Sequence, residues 1–298
     1  MTDDDRKAGL DEPVLVTGAS SQIGRCVLRR LDEAGTEIIA AGRRKPTGID
    51  PGACRFIECD LTSARPTFPE EVVSLIHIAS IWMLPPHLET LRKRGLRRLV
   101  CFGSTAIYNK TDSVNAGERE IARRMIHAEE DIARLCESLG IGWTVLRPTL
   151  VYGLGLDRNV SRAARFIRKF RLYPLATGAV GLRQPVHADD LASAALAALN
   201  TAASSGKRYD VGGGEKLPYR DMIGRIFDVL DLPRRFVPLP GLEYAVAAAG
   251  IVLRRPEVTG DVVRRMRLDL TCDNSAAEID LGYRPRTFLA GGKDDVPD

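Results

Sequence analysis

Short apolar runs alternate with longer amphipathic stretches over the first half of the chain. The apolar runs predict strands at Pro13–Thr17, Glu37–Ala41, Cys54–Glu58, Val73–Ala79, Arg98–Gly103 and Gly142–Arg147. Apolar residues that recur at the helical period predict helices at Gln22–Glu33, Leu88–Gly95 and Glu118–Leu139. Strands and helices that alternate in this way form right-handed crossovers, so the pattern predicts an α/β fold with a doubly wound parallel sheet.

The pattern loosens after Gly153. We expect a turn-rich piece up to Arg183 and a strand at Arg208–Val211 that joins the sheet. The helices predicted in this half are Ser161–Phe170, Asp189–Leu199, Tyr219–Leu230 and Leu242–Leu253. The sequence thus predicts a sheet domain over residues 11–153 and a smaller, partly interleaved lobe over 154–288. Residues 1–10 and 290–298 are predicted to be tails, the second of them disordered.

Composition narrows the class of protein. A net charge of +4 is too small to indicate nucleic acid, and the six cysteines form no Cys-x-x-Cys pair. The acidic N-terminus carries no secretory signal, and the longest apolar run, Ala245–Leu253, is shorter than the roughly 20 residues that a membrane span needs. We therefore expect a cytoplasmic protein without a structural metal or a membrane span.

The turn after the first predicted strand is the strongest functional signal. Gly18 and Gly24 frame it with the outer spacing of a Gly-x-x-Gly-x-x-Gly fingerprint, and Ser21 stands at the middle position. Such a turn lets backbone N–H groups approach a pyrophosphate, which the N-terminus of the next helix also attracts. The alternative is an ordinary strand–helix turn, because a glycine pattern alone is weak.

The ends of the next two strands point to the kind of dinucleotide. Arg43 and Arg44 follow the second strand, where NAD sites carry an acidic residue, and a guanidinium suits the 2′-phosphate of NADP. Asp60 follows the third strand and could accept a hydrogen bond from the adenine amine. The sequence therefore favours NADP, with NAD possible, unless the two arginines are only surface charge. Neither a Walker lysine motif nor a Gly-x-Ser-x-Gly elbow is present.

From Val14 to about Phe288 the chain resembles the extended, epimerase/dehydratase-like branch of the short-chain dehydrogenase/reductase superfamily, which has a Rossmann-type fold. The motifs that carry the resemblance follow the glycine turn. They are Ile76-His77-Ile78-Ala79-Ser80, Phe102-Gly103-Ser104-Thr105-Ala106-Ile107-Tyr108, Leu146-Arg147-Pro148 through Tyr152-Gly153, Arg183 through Ala192, and Leu281-Gly282-Tyr283-Arg284-Pro285.

The resemblance implies roles for individual residues. Ser104 falls where the family hydrogen-bonds the reacting oxygen, and this role is favoured over the alternative, a hydroxyl that caps a strand end. Arg183 matches an arginine that binds a substrate diphosphate, and Tyr152 is a second candidate substrate contact. His187, Asp189 and Asp190 are expected to anchor a helix, the carboxylates as N-caps. The implied cofactor contacts are Thr17, Gly18, Ser20, Ser21, Gln22, Ile23, Gly24, Asp60, Leu61, Ala79, Ser80 and Pro148.

One departure from the family puts catalysis in doubt. The family's proton donor is a Tyr-x-x-x-Lys pair, one helical turn apart. The alignment places Ile121 at the tyrosine position and Met125 at the lysine position, and neither side chain carries a proton. His127 lies on the same helix but should face elsewhere. Ser104, Thr105, Tyr108 and Tyr152 remain as candidate donors through water, the first three being the predicted catalytic residues.

Two functions stay open at this point. The first is an NADP(H)-dependent epimerase, dehydratase or reductase that acts on a nucleotide sugar or a similar hydroxyl or carbonyl compound. The basic stretch Arg162–Arg171 and Arg183 favour an anionic substrate. The second is a non-catalytic NADP(H)-binding sensor, scaffold or assembly subunit. Relatives often dimerise through helices that include Glu118–Leu139, so a homodimer is possible.

Overall fold

The computed structural model describes residues 12–45, 54–239 and 265–296. Seven parallel strands, numbered along the chain, form the central sheet: β1 (Val14–Thr17), β2 (Ile38–Gly42), β3 (Arg55–Glu58), β4 (Ser74–His77), β5 (Arg98–Phe102), β6 (Gly142–Pro148) and β11 (Lys207–Val211). Their spatial order is β11-β6-β5-β4-β1-β2-β3, which reverses between β1 and β4. This is the doubly wound Rossmann arrangement, so the predicted fold class is confirmed.

The helices lie on both faces of this sheet and in the lobe beyond it. They are α1 (Gln22–Glu33), α2 (Leu88–Lys93), α3 (Ile107–Lys110), α4 (Ala116–Leu139), α5 (Val160–Phe170), α6 (Ala188–Asn200), α7 (Tyr219–Val229) and α8 (Ser275–Leu281). The remaining strands are β7 (Val151–Tyr152), β8 (Tyr173–Ala176), β9 (Leu182–Arg183), β10 (Val186–His187), β12 (Leu217–Pro218) and β13 (Phe236–Leu239).

Strand alternation divides the core into two layers. Val14 and Val16 of β1 point into the layer that α1 and α6 cover, whereas Leu15 points into the layer that α2 and α4 cover. Both faces of the central strands are therefore buried, which explains why these strands appear in the sequence as continuous apolar runs. The strand predicted at Arg208–Val211 pairs in parallel with β6 and extends the sheet, as expected.

The lobe has its own apolar cluster, in which α5 and α7 pack together around Tyr152. The piece predicted to be turn-rich contains β8, which pairs with β13, and β9, which pairs with β12. The predicted helix Leu242–Leu253 and the predicted tail 1–10 lie outside the described residues. No helix among the described residues is long and apolar enough to cross a membrane.

The prediction of a disordered tail from Ala290 onward is wrong for residues 290–296. A short 3-10 helix spans Gly292–Asp295, and Asp295 is buried. Its carboxylate accepts a hydrogen bond from the Gly291 N–H and lies 3.3 Å from Nε2 of His187. The polar composition was misleading because the partner of Asp295 is far away along the chain.

Candidate functional site

The turn between β1 and α1 is built on close backbone approach. Gly18 has a φ of +74°, and a Cβ there would lie 2.6 Å from the backbone nitrogen of Ala79. A Cβ on Gly24 would lie 2.5 Å from the Gly18 carbonyl oxygen. The Ser21 hydroxyl accepts a hydrogen bond from the Gly24 N–H at 3.0 Å and so caps α1. The turn therefore tolerates serine at the middle fingerprint position, because this serine acts as the N-cap.

A cleft of about 660 Å³ opens beside this turn at the carboxyl edge of β1, β2, β3 and β4. Its walls include many of the residues predicted to contact the cofactor: Gly18, Ser20, Arg43, Arg44, Asp60, Leu61, Ala79 and Ser80. The remaining wall residues are not among the predicted cofactor contacts: Ala19, Ala41, Gly42, Cys59, Thr62 and Met83. Most of these are small or apolar, so only their position at the strand ends could have identified them. The cleft lies at the switch point of the sheet, where ligands bind in such folds.

The charges of the cleft come from one carboxylate and two guanidinium groups. Oδ1 of Asp60 accepts hydrogen bonds from the backbone N–H and the hydroxyl of Thr62, at 2.9 and 2.7 Å. These bonds lower the pKa of Asp60, so the carboxylate stays ionised. Arg43 and Arg44 are exposed, and neither forms a salt bridge in the described parts of the chain. Their donors are thus available to an anion.

The buried side chain of His77 connects the ends of β1 and β4 beside the cleft. Nε2 of His77 lies 3.3 Å from the carbonyl oxygen of Ser80, and Nδ1 lies 2.8 Å from the Thr17 hydroxyl. Since the carbonyl oxygen only accepts, Nε2 carries the proton and Thr17 donates to Nδ1. Burial lowers the pKa of His77 to about 4, so the ring is neutral at physiological pH. Thr17, a predicted cofactor contact, is therefore a supporting residue here.

The other predicted cofactor contacts do not line this cleft. Ile23 belongs to α1 and is buried in the core, and Pro148 ends β6, where its carbonyl oxygen accepts hydrogen bonds from Thr105. Oε1 of Gln22, at the start of α1, is buried and has no hydrogen-bond partner among the described residues. A ligand hydroxyl would satisfy this atom, so the residues around the turn fit a dinucleotide.

The predicted catalytic residues follow β5, and none of them lines the cleft. The Ser104 hydroxyl accepts a hydrogen bond from the Ala106 N–H at 3.1 Å, which leaves its own proton free to donate. Thr105 donates to the Pro148 carbonyl oxygen. The Tyr108 hydroxyl accepts from Arg147 at 2.7 Å and donates to Asp210 at 3.1 Å. Burial raises the pKa of Tyr108, which makes it a weaker acid near neutral pH.

Ile121 and Met125, the residues predicted at the family's tyrosine and lysine positions, both lie on α4. Ile121 is 42% exposed, whereas Met125 is buried among the apolar residues between α4 and the sheet. His127 is exposed and lies 3.6 Å from the Glu130 carboxylate, so it faces away from the core as expected. No titratable group stands at the tyrosine or lysine position.

The structure places both predicted substrate contacts in the interior. Arg183 is 4% exposed and donates to the carbonyl oxygens of Leu182 and Leu268, each at 2.8 Å. Tyr152 is fully buried and accepts a hydrogen bond from the Leu289 N–H. These placements argue against a direct substrate contact by either residue, because their polar atoms already satisfy the protein's own backbone.

The cap of α6 differs from the prediction in its chemistry. The acceptor is Nδ1 of His187, which takes the Asp189 N–H at 3.1 Å, whereas the carboxylates pair with arginines. Burial alone would raise the pKa of Asp189, but hydrogen bonds from Arg30 and Arg286 outweigh it and hold this pKa well below its ordinary value. The carboxylate thereby ties α6 to α1 and to the C-terminal segment.

A second cavity of about 730 Å³ lies in the lobe, where two of the side chains that line it hold the backbone in place. Gln184 and Asn274 line it, and both side-chain amides are bonded to backbone atoms at Gly212, Gly213 or Cys272. Burial raises the pKa of the Cys272 thiol to about 12, which makes it a poor nucleophile. Among the described residues, no group of three or more His, Cys, Asp or Glu side chains could hold a metal ion.

Comparison with known proteins agrees with this geometry. The sequence model of the NAD dependent epimerase/dehydratase family matches residues 14–81 and 86–212. The uncharacterised protein YbjS of Escherichia coli K12 is 25% identical over 319 aligned positions, which cover 94% of this chain and 95% of YbjS. The fold also matches MoeE5 in complex with UDP-glucuronic acid and NAD, with a TM-score of 0.73 and 20% identity over 95% of this chain and 97% of MoeE5.

A UDP-glucuronic acid 4-epimerase from Bacillus cereus, in complex with UDP-glucuronic acid and NAD, is similar to the same extent. Its TM-score is 0.72 at 16% identity, and the alignment covers 95% of this chain and 97% of the epimerase. At these identities the two structures establish the fold, while the family match rests on the sequence.

Proposed function

Because the chain belongs to the NAD dependent epimerase/dehydratase family, we propose that it is an oxidoreductase, epimerase or dehydratase that uses NADP(H) in preference to NAD(H). When bound, the nicotinamide of such a cofactor supplies or accepts a hydride. The substrate in this proposal is a small anionic hydroxyl or carbonyl compound, a nucleotide sugar or a close analogue. The observation that carries the proposal is the cleft beside the Gly18 turn, with Arg43 and Arg44 exposed at its edge and in no salt bridge with the described residues.

Each wall of the cleft has a function in this proposal. The Gly18 turn and the N-terminus of α1 offer backbone N–H groups to the pyrophosphate. Arg43 and Arg44 would hold the 2′-phosphate, and the ionised Asp60 would accept a hydrogen bond from the adenine amine. MoeE5 and the Bacillus cereus epimerase are each in complex with NAD. The preference for NADP therefore rests on the arginines of this chain alone.

The residues after β5 would position the substrate. Ser104 keeps a free hydroxyl proton and is the best candidate to hydrogen-bond the reacting oxygen. Tyr108 is a poorer candidate for proton transfer, since its hydroxyl is engaged by Arg147 and Asp210 and its pKa is raised. With Ile121 and Met125 in place of the family pair, we expect turnover about 10²–10⁴-fold slower than with a positioned general acid.

The similar structures support the proposed substrate class. MoeE5 and the Bacillus cereus epimerase are both in complex with UDP-glucuronic acid. We assign residues 11–153 to dinucleotide binding and 154–288 to substrate binding, in line with the position of the cleft on the sheet. The homodimer and the cytoplasmic location stay predictions.

A fluorescence titration with NADPH and NADH tests the proposal. We expect saturable binding of both, with NADPH binding more tightly. Absorbance at the nicotinamide band, followed with 4-keto and 4-hydroxy nucleotide sugars, then separates an enzyme from a binding module. Tight binding with no hydride transfer to any of these compounds would favour the sensor or scaffold function. Failure to bind either dinucleotide would contradict the whole proposal.

A further inference from the structure

The guanidinium group of Arg124, on α4, stacks on the ring of Trp82, which lies beside the cleft at the Gly18 turn. The guanidinium carbon of Arg124 lies 4.7 Å from the centre of the Trp82 ring. Trp82 belongs to the 3-10 helix Ile81–Met83, which begins directly after Ser80 and packs on α4. Ser80 and Met83 both line the cleft, so Trp82 lies between this part of the cleft wall and α4.

Arg124 occupies the part of α4 where the family carries out proton transfer. It is three residues after Ile121 and one before Met125, and side chains three or four apart share a helical face. The side chain is therefore on the same face as Ile121, which is itself 42% exposed. A substrate that reaches the tyrosine position would meet Arg124 next to it.

The hydrogen-bonding capacity of Arg124 is unused by the described residues. Arg124 is exposed and forms no salt bridge or hydrogen bond with them. The carboxylate of Glu118, at the start of α4, is already paired with Arg265 and Lys110. Stacking uses only the face of the guanidinium plane, so its N–H donors stay free for a carboxylate or a phosphate.

The stacking also fixes the direction of these donors before a ligand arrives. A free arginine loses rotamer entropy when it binds an anion, whereas one held on a tryptophan has lost part of it already. Arg183, the arginine expected from the sequence to meet an anion, is buried and bonded to backbone carbonyls. The site therefore has a cation for an anionic substrate, but a different one.

We infer that Arg124, held against Trp82, is a substrate-binding residue that takes a carboxylate or phosphate group of the substrate beside the cofactor cleft. This inference rests on the proposed function, because it places the anion next to a bound dinucleotide. The same chemistry could serve a phosphate of the cofactor, and the experiment separates these two sources. A merely structural stack would leave the affinity for anions unchanged.

Calorimetric titration of the protein saturated with NADP+ tests the inference, with pyrophosphate and malonate as probes. The bound cofactor occupies its own phosphate sites. We expect Arg124→Gln to weaken probe binding by about tenfold or more, since a hydrogen bond to a charged group is lost. Arg124→Lys should bind the probes with intermediate affinity, because it keeps the charge but not the fork. Arg123→Gln is the matched control, as it removes one exposed arginine from the neighbouring position, and should change affinity less than about twofold.

Tryptophan fluorescence shows where on the protein the probe binds. The chain has two tryptophans, of which Trp143 is buried beneath Arg208. A probe that binds at Arg124 should change the emission of Trp82, and Trp82→Phe should abolish that change while the protein still binds the probe.

Four results would overturn the inference or its premise. Equal affinities in Arg124→Gln and Arg123→Gln, or no probe binding by the wild type, would overturn the inference while NADPH binding persists. Weaker NADPH binding in Arg124→Gln would assign the arginine to the cofactor instead. Failure of the wild-type protein to bind NADPH would contradict the proposed function itself.

Discussion

The β1–β4 side and the β5–α4 side of this molecule differ in what their side chains can do. On the first, a tight turn with Gly18 at positive φ and Ser21 as N-cap adjoins a cleft lined by two exposed arginines and an ionised aspartate. On the second, Ile121 and Met125 stand on α4 at the positions predicted for proton transfer, and both are apolar. In the proposed function the first side binds the cofactor, whereas the second lacks the family's pair for proton transfer.

The difference shows that binding and proton transfer depend on separate elements of this fold. The cleft is formed by turns at the ends of β1, β2, β3 and β4, and nothing in it requires a particular side chain on α4. A change on α4 can therefore remove acid–base chemistry without closing the cleft. The four predictions below test how independent the two sides are.

Restoring the missing pair should have the largest effect. We expect Ile121→Tyr with Met125→Lys to raise the rate of hydride transfer by about 10²-fold or more, because a positioned general acid contributes about 10²–10⁴-fold. The rate is measured as NADPH oxidation with 4-keto nucleotide sugars. The control pairs Ile121→Phe with Met125→Lys and lacks only the hydroxyl. Equal rates in the two double variants would show that α4 no longer faces the reacting atoms.

A side chain at Gly18, in the turn between β1 and α1, should have the second largest effect. A Cβ at Gly18 would meet the backbone at Ala79, and such overpacking costs about 1–3 kcal/mol. We expect Gly18→Ala to weaken NADPH binding by about 5- to 150-fold in a fluorescence titration. Gly35→Ala is matched, since Gly35 has a φ of +69° but nothing within 4 Å of its Cβ. If both variants bind NADPH like the wild type, the turn does not contact the cofactor.

The arginines at the end of β2 should have a smaller, selective effect. We expect Arg43→Asp to weaken NADPH binding by about tenfold, at the lower end for a charge-assisted bond because the side chain is exposed. NADH binding should change less than about twofold. Arg97→Asp changes the same charge at the opposite edge of the sheet, before β5, and serves as control. A similar loss for both cofactors would remove Arg43 from the 2′-phosphate site.

The Asp189 carboxylate, which ties α6 to α1 and to the C-terminal segment, should affect stability and leave binding almost unchanged. The pKa of Asp189 is depressed in the folded state, so its contribution is complete above the unfolded value of about 3.9 and is lost as the pH falls through the folded pKa. We expect Asp189→Asn to lower the free energy of unfolding at pH 7 by about 1.5–3 kcal/mol and to flatten its decline below pH 4.

Urea unfolding at pH 3, 4, 5 and 7 measures this effect. Asp131→Asn, which breaks an exposed pair with Arg134, should cost less than about 1 kcal/mol. An unchanged acid slope in Asp189→Asn would show that other carboxylates carry the acid sensitivity.

Much of the fold could be predicted because its signals are local. The helix predicted at Gln22–Glu33 has those bounds in the structure, since its period, its Ser21 cap and the preceding turn agree. The same locality explains the cleft, where Gly18, Arg43 and Asp60 each follow a strand of one parallel sheet. Strand ends that meet at one edge can be assigned without knowledge of side-chain packing.

The surroundings of the two predicted substrate contacts depend on residues that are distant along the chain. Arg183 is the arginine of a family motif, but backbone carbonyls of Arg265 and Leu268 use its donors. Tyr152 is fixed by Leu289 in the same way. A single sequence does not show which of its arginines are buried, and this also hid the exposed Arg124.

The buried contact between His187 and Asp295 has a practical consequence for protein production. Asp295 and Val296 are both buried, and Val296 belongs to the apolar cluster of the lobe. An affinity tag or reporter fused directly after Val296 would compete with this packing, whereas fusion ahead of residue 12 would leave it untouched. Protein produced for assays or crystals should therefore carry such additions at its amino-terminal side.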